Sequence, residues 1–142
     1  MQIKTFRGLI ADGAIDTVVL HTNNGATGYR IVKFQVMPYN LNSSGEAAIK
    51  IYKTPQTTAT FDFDFSDQRL LAAAYYTVNA SADAYPEDHH VIFDQEIFNQ
   101  DIYITHKNND NVPMNYYIEL EQIKLDLNEN TVATLKDIRN LS

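Results

Sequence analysis

Apolar and polar residues alternate along most of this chain, in short runs separated by residues that are typical of turns. One long run covers residues 29–37 and places Tyr29, Ile31, Lys33, Gln35 and Met37 on one face. Successive side chains of a β-strand point to opposite faces, so this period predicts strands. Similar runs occupy residues 3–6, 15–20, 47–53, 57–65, 91–93, 102–106 and 114–125. About eight or nine strands joined by Gly, Asn and Pro turns predict an all-β fold, an antiparallel, jelly-roll-like β-sandwich.

Two segments depart from this period and predict one or two short helices. Ser66 can cap a helix over residues 66–75, where three alanines and two leucines favour helix. Residues 131–138 predict a terminal helical turn or two, with Val132, Leu135 and Ile138 along one side. We expect residues 128–142 to form a C-terminal helical segment that contacts another copy of the chain, because an apolar stripe on so short a helix needs a partner.

The length of 142 residues predicts a single domain spanning residues 1–142. The chain has no cysteine, which excludes disulfides, thiolate metal sites and cysteine nucleophiles. No apolar run approaches the roughly 18 residues that a membrane helix requires, so we expect no membrane partner.

Charge is unevenly distributed along the chain. Residues 1–71 carry 7 basic and 6 acidic groups, whereas residues 72–142 carry 4 basic and 12 acidic groups. Residues 83–101 include six carboxylates and no Lys or Arg. Such a surface repels phosphate backbones, so we expect no nucleic-acid partner. Three interpretations stay open for it: a solvated acidic surface, a docking face for a basic partner, and a divalent-cation site.

Two groups of residues resemble metal ligands. His89 and His90, with Asp88, Asp94 and His106, form the best candidate, but adjacent side chains on a strand point to opposite faces. Asp62, Asp64 and Asp67 offer oxygens that calcium accepts, without the spacing of a calcium-binding loop. We therefore expect no metal and no cofactor.

The chain shows no recognisable catalytic motif. None of its serines lies in a Gly-x-Ser-x-Gly elbow, and its five glycines lie at apparent turns. Paired carboxylates of the glycosidase type stay open, because their separation is set in three dimensions. Tyr75-Tyr76, Tyr85 and Tyr116-Tyr117 are candidates for a sugar-stacking platform, for a subunit contact, or for plain alternation of core and surface rings. We predict that the protein is not an enzyme.

Several segments together resemble virion structural proteins of marine tailed bacteriophages. The segments are TGYRIVKFQ at 27–35, IKIYK at 49–53, DFSDQRLLAAA at 64–74, IFDQEIFNQDIYITH at 92–106, NYYIELE at 115–121 and LKDIR at 135–139. The resemblance implies a small β-sandwich on the capsid surface of a virion, a cement or decoration protein that binds and stabilises the major capsid shell. It implies no catalytic residue.

Capsid decoration repeats one modest interface many times, and we expect the major capsid protein and further copies of this chain as partners. The candidate interface residues are Met37, Tyr39, Met114 and Tyr116 near strand ends, with Val132, Leu135 and Ile138. Two alternatives stay open: a carbohydrate-binding or receptor-binding β-sandwich module, and a neck or tail component present in few copies.

Overall fold

A computed structural model describes residues 2–20, 26–40, 45–78 and 86–125 of the chain. The described residues form two antiparallel sheets that pack against each other, so the predicted all-β sandwich is confirmed. The smaller sheet has the strand order β1-β8-β3, and the larger one has the order β2-β7-β4-β5-β6. The strands are β1 (Gln2–Ile10), β2 (Ile15–Val18), β3 (Thr27–Pro38), β4 (Gly45–Tyr52), β5 (Leu70–Val78), β6 (Pro86–Phe93), β7 (Ile102–Asn108) and β8 (Met114–Lys124). Jelly-roll connectivity stays a prediction.

The core lies between the inner faces of the two sheets. Phe34 and Ile118 from the smaller sheet meet Ile49 and Ile104 from the larger one, and all four are fully buried. Burial of each such side chain contributes roughly 1.5–3 kcal/mol. Phe98, between β6 and β7, is also in the core and exchanges two backbone hydrogen bonds with Tyr29 of β3, at 2.7 and 2.8 Å. This bridge holds the connection between β6 and β7 against the smaller sheet.

Strand β3 contains a bulge that the alternation did not reveal. Its register against β8 shifts between Ile31 and Lys33, so one extra residue stands on β3. The strict period predicted that Ile31 and Phe34 face opposite ways, yet both are buried in the core. The bulge reverses the phase of the alternation, which leaves Val32 and Lys33 exposed and returns Phe34 to the inner face.

The helix predicted over residues 66–75 is wrong. Leu70–Val78 is strand β5, which pairs with β4 on one side and with β6 on the other. Helix propensity amounts to tenths of a kcal/mol per residue, and two complete strand pairings outweigh it. Small side chains suit the position, because Ala72 and Ala74 pack in the core while Ala73 is buried on the outer face. The predicted helical segment within residues 128–142, including Val132, Leu135 and Ile138, lies outside the described residues.

Residues 53–69 form a long irregular segment, which we call the covering loop because it lies over the outer face of the larger sheet. The strand predicted over residues 57–65 is therefore wrong. Local hydrogen bonds replace sheet pairing: Asp64 Oδ1 accepts the backbone N–H and the hydroxyl of Ser66, and Asp67 accepts the backbone N–H of Arg69. Short polar side chains that bond their own backbone favour turns over strands.

Candidate functional site

The outer face of the smaller sheet carries an exposed apolar end. Leu9 of β1 and Met37 of β3 stand on either side of Asn115 of β8 in one cross-strand row. Leu9 is 49% exposed, Met37 is 64% exposed and Tyr39, just beyond β3, is 66% exposed. We call Leu9, Met37 and Tyr39 the apolar end. Large apolar side chains exposed together in this way are typical of contact surfaces.

A shallow depression of about 580 Å³ opens beside the apolar end. Leu9, Met37, Arg7, Gln35 and Tyr117 contribute to its lining. Arg7 makes no ion pair with any residue that the structure describes. The depression therefore combines an apolar rim with one unneutralised positive charge.

The far end of the same face carries ion pairs between its own strands, beside Ile3 of β1, which is 40% exposed. Arg30 Nε donates to Glu121 Oε2 at 2.7 Å, and Lys33 Nζ lies 3.9 Å from Glu119 Oε2. The Lys33 ammonium also lies 5.8 Å from the centre of the Tyr117 ring. Exposed pairs of this kind contribute at most about 1 kcal/mol each, but they leave few charges unsatisfied. The two ends of this face therefore differ in how many of their charged side chains are paired.

The structure separates the predicted interface residues into two pairs. Of the four that the structure describes, Met37 and Tyr39 are exposed, whereas Met114 and Tyr116 are buried. Alternation along β8 turns Met114 and Tyr116 inward, so neither can offer its side chain to a partner. Sequence reasoning missed Leu9, although its position on the same face as Arg7 of β1 follows from the period of two.

Tyr116 and its partner Asp16 lie at the border of the core. The Tyr116 hydroxyl donates to Asp16 Oδ2 at 3.1 Å. Burial, together with the negative charge of Asp16 and this hydrogen bond, raises the pKa of Tyr116 to about 12. The pair holds β8 of the smaller sheet to β2 of the larger one.

His106, one of the candidate metal ligands, connects two strands. Its ring is fully buried, and Nδ1 lies 3.1 Å from the carbonyl oxygens of both Ile10 and Ala11, so the Nδ1–H group donates to them. Burial lowers the pKa of His106, and these hydrogen bonds and the charge of Asp12 offset the shift only in part. His106 thus connects β7 to the end of β1.

Of the other candidate metal ligands, His90 is not brought together with His106. His90 is exposed on the outer face of the larger sheet, where its ring lies 5.0 Å from that of Tyr75. The side chains of Asp88 and His89 lie outside the described residues. Asp67 is bound by the guanidinium of Arg69, and this hydrogen bond is the main reason why the pKa of Asp67 is lowered. Across the described ranges, no three His, Asp or Glu side chains are placed to share a metal ion.

A second candidate site lies under the covering loop. Phe61 and Phe63 of the loop, with Tyr75 of β5, enclose a groove of about 340 Å³ whose floor includes Ala48. Glu46, Thr77 and Asn109 complete its lining. Phe65 of the same loop lines a different depression together with Ile92. We call the site formed by Phe61, Phe63 and Tyr75 the aromatic groove.

Two buried lysines hold the covering loop in place. Lys50 Nζ donates to Thr60 Oγ1 at 2.9 Å and to the Asp62 carbonyl oxygen at 2.5 Å. Burial lowers the pKa of Lys50, although the nearby carboxylates of Asp62 and Asp67 oppose the shift. At the start of the loop, Lys53 Nζ lies 2.6 Å from Glu96 Oε1. The loop is therefore fixed at both its start and its centre.

No protein-family model matches the chain, and no curated protein matches it. In the described ranges, no helix is long and apolar enough to cross a membrane.

Proposed function

We propose that this protein is a non-enzymatic structural protein of a tailed-phage virion, a decoration protein that binds the major capsid protein at the shell surface through the apolar end. The exposure of Met37 and Tyr39, at 64% and 66%, is the observation that carries this proposal. Burial of such side chains gains free energy only when a partner covers them. The resemblance of the sequence to phage virion proteins supplies the identity of the proposed partner.

The small area of this face favours a partner that presents many identical binding sites. Three strands about 4.8 Å apart and about nine residues long present roughly 400 Å², which is half of the area that one partner contributes to a standard interface. A single contact of this size is weak. On a repeated lattice, linked copies gain avidity without any new contact, so we propose that the protein acts as a homo-oligomer.

The buried polar groups support a structural role over a catalytic one. Lys50 and Lys53 hold the covering loop, while His106 and Tyr116 connect strands. Each of these groups makes at least one hydrogen bond within the fold, which supports a structural role for it. The hydrogen bonds of these buried side chains contribute to the stability of the fold.

Copy number in purified virions tests the proposal. Quantitative peptide mass spectrometry, scaled to the major capsid protein, is expected to give hundreds of copies per particle. A few copies would place the protein in the neck or tail instead, and complete absence from the particle would overturn the virion assignment.

A binding experiment then tests the surface. The variants Met37→Glu and Tyr39→Glu are expected to lose co-sedimentation with capsids that lack the protein. Ile92→Glu is the matched control, because Ile92 is exposed on the opposite sheet and its replacement leaves the apolar end intact. Equal binding by all three variants would contradict a role for the apolar end.

A further inference from the structure

The aromatic groove has the composition of a small-ligand site. Its volume of about 340 Å³ lies at the lower end of the range for ligand pockets. Phe61 and Phe63 are 42% and 38% exposed although both belong to an otherwise polar loop. The floor is an alanine, Ala48, which leaves room above the sheet for a ligand.

The walls of the groove are held in place without a ligand. Lys50, fixed by its hydrogen bonds to the covering loop, places its ammonium 5.6 Å from the centre of the Phe63 ring. Phe63 in turn packs on Tyr75 with ring centres 6.0 Å apart, and Tyr75 packs on His90 at 5.0 Å. A preformed wall of rings loses little conformational entropy on binding.

Two polar residues stand at the rim beside these rings, and hydrogen bonds fix the Glu46 backbone and the Asn109 side chain. The backbone N–H of Glu46 donates to Asn109 Oδ1 at 2.8 Å, and the backbone N–H of Asn109 donates to the Glu46 carbonyl at 3.2 Å. This exchange leaves the Asn109 Nδ2 group as a donor and the Glu46 carboxylate as an acceptor. Aromatic faces with a donor and an acceptor beside them match a sugar ring, which has apolar C–H faces and a hydroxylated edge.

The surrounding charges favour a neutral ligand. Lys50 lies behind Phe63, and Lys107 is the cross-strand neighbour of Ala48, so a cationic ligand meets two positive charges. Glu46 disfavours an anionic ligand at the rim. A hydroxyl group, in contrast, can donate to the Glu46 carboxylate and accept from Asn109 without a net charge.

We propose that the aromatic groove binds a neutral saccharide, with a sugar ring against Phe61 and Phe63 and its hydroxyls on Glu46 and Asn109. The site lies on the larger sheet, whereas the apolar end lies on the smaller one. The inference therefore stands apart from capsid binding, and either can fail without the other.

An array of immobilised neutral and acidic oligosaccharides tests the proposal with the full-length protein. We expect retention on neutral glycans, and the best neutral oligosaccharide then serves as the probe in calorimetric titration. Phe61→Ala and Glu46→Gln are each expected to weaken binding of that probe about tenfold or more. Phe65→Ala is the matched control, since Phe65 belongs to the same loop but lies outside the groove, and it is expected to bind like the unmodified chain.

Three outcomes would overturn the proposal: no retention on any neutral glycan, retention on acidic glycans only, or unchanged binding in both groove variants. Thermal unfolding of each variant separates loss of the site from loss of the fold. Sedimentation velocity addresses the other possible occupant, because a fall in mass of Phe61→Ala alone would assign the groove to a contact between copies.

Discussion

Gly8 of β1 lies directly against the phenol ring of Tyr116 of β8. A Cβ atom at Gly8 would stand 2.6 Å from Tyr116 Oη and 2.8 Å from its Cζ, closer than any real contact permits. The sequence suggested that Gly8 ends the first strand, yet β1 continues through it to Ile10. Glycine within a strand marks a close approach, and here it makes room for a ring that Asp16 holds in place.

Gly8→Ala is therefore expected to destabilise the protein by about 1–3 kcal/mol, because the ring must move and strain its hydrogen bond. Urea unfolding measures the change. In a Tyr116→Val background the same substitution is expected to cost much less, since the obstructing ring is gone. An equal cost in both backgrounds would show that the ring is not the cause.

Tyr116→Phe tests the hydrogen bond to Asp16. At neutral pH we expect a loss of about 1 kcal/mol in the free energy of unfolding. The pKa of Tyr116 is raised from its ordinary value of 10.0 to about 12, so the unfolded chain loses its proton first. Stability of the unmodified protein therefore falls as pH rises from 10 to 12, and the variant lacks this part of the fall.

Unfolding curves at pH 8 and at pH 11 measure the alkaline effect. Tyr117→Phe is the control, because Tyr117 lies on the opposite face of β8. This variant is expected to lose as much stability between pH 8 and pH 11 as the unmodified protein. If Tyr116→Phe has the same pH dependence as the unmodified chain, the assignment of the raised pKa to Tyr116 fails.

His106 is expected to make the fold sensitive to acid. Its pKa is lowered in the folded state, so below the ordinary value of 6.5 the unfolded chain binds a proton that the folded chain resists. Stability therefore falls as pH drops below 6.5, by at most about 1.4 kcal/mol per pH unit. Urea unfolding between pH 7.5 and about 5 measures this slope.

His106→Asn keeps a side-chain N–H donor for the carbonyls of Ile10 and Ala11 but cannot titrate. We expect its stability to depend less on pH over the same interval. His90→Asn, which changes an exposed ring, is expected to keep the slope of the unmodified protein. A slope that disappears in the His90 variant and persists in the His106 variant would contradict this account.

Lys50→Met is expected to release the covering loop from the larger sheet. Methionine retains the apolar stem but loses the hydrogen bonds to Thr60 and Asp62. Subtilisin is then expected to cleave within residues 54–69 about tenfold faster, because local opening costs less free energy. Lys107→Met, on the same outer face, is the control, and equal cleavage rates in both variants would exclude Lys50 as the anchor.

The alanine run shows where sequence reasoning failed and why. Ala72, Ala73 and Ala74 favour helix when only neighbours along the chain are considered. In the fold the same residues form a strand between β4 and β6, with Ala72 and Ala74 packed in the core and Ala73 buried on the outer face. The information that decides this lies in strands that are distant in the sequence.

The apolar end and the aromatic groove differ in how much of each was predictable. Met37 and Tyr39 could be singled out because they stand near the end of a strand, but the bulge in β3, which the alternation did not reveal, decides that Met37 faces outward. The aromatic groove brings together residues from the covering loop, β4, β5 and the end of β7. No pattern within a single segment indicates that Phe61 and Tyr75 meet.

The alternation along the chain is enough to predict that this protein is built of strands. A period of two follows from backbone geometry, which each residue shares with its immediate neighbours. The sequence also determined the charge distribution and the lack of thiol chemistry. Three features become visible only in the folded protein: the burial of Tyr116, the bulge in β3 and the anchoring of the covering loop. These features depend on packing between distant segments, where the space beside Gly8 or the partner of Lys50 exists only after the two sheets have come together.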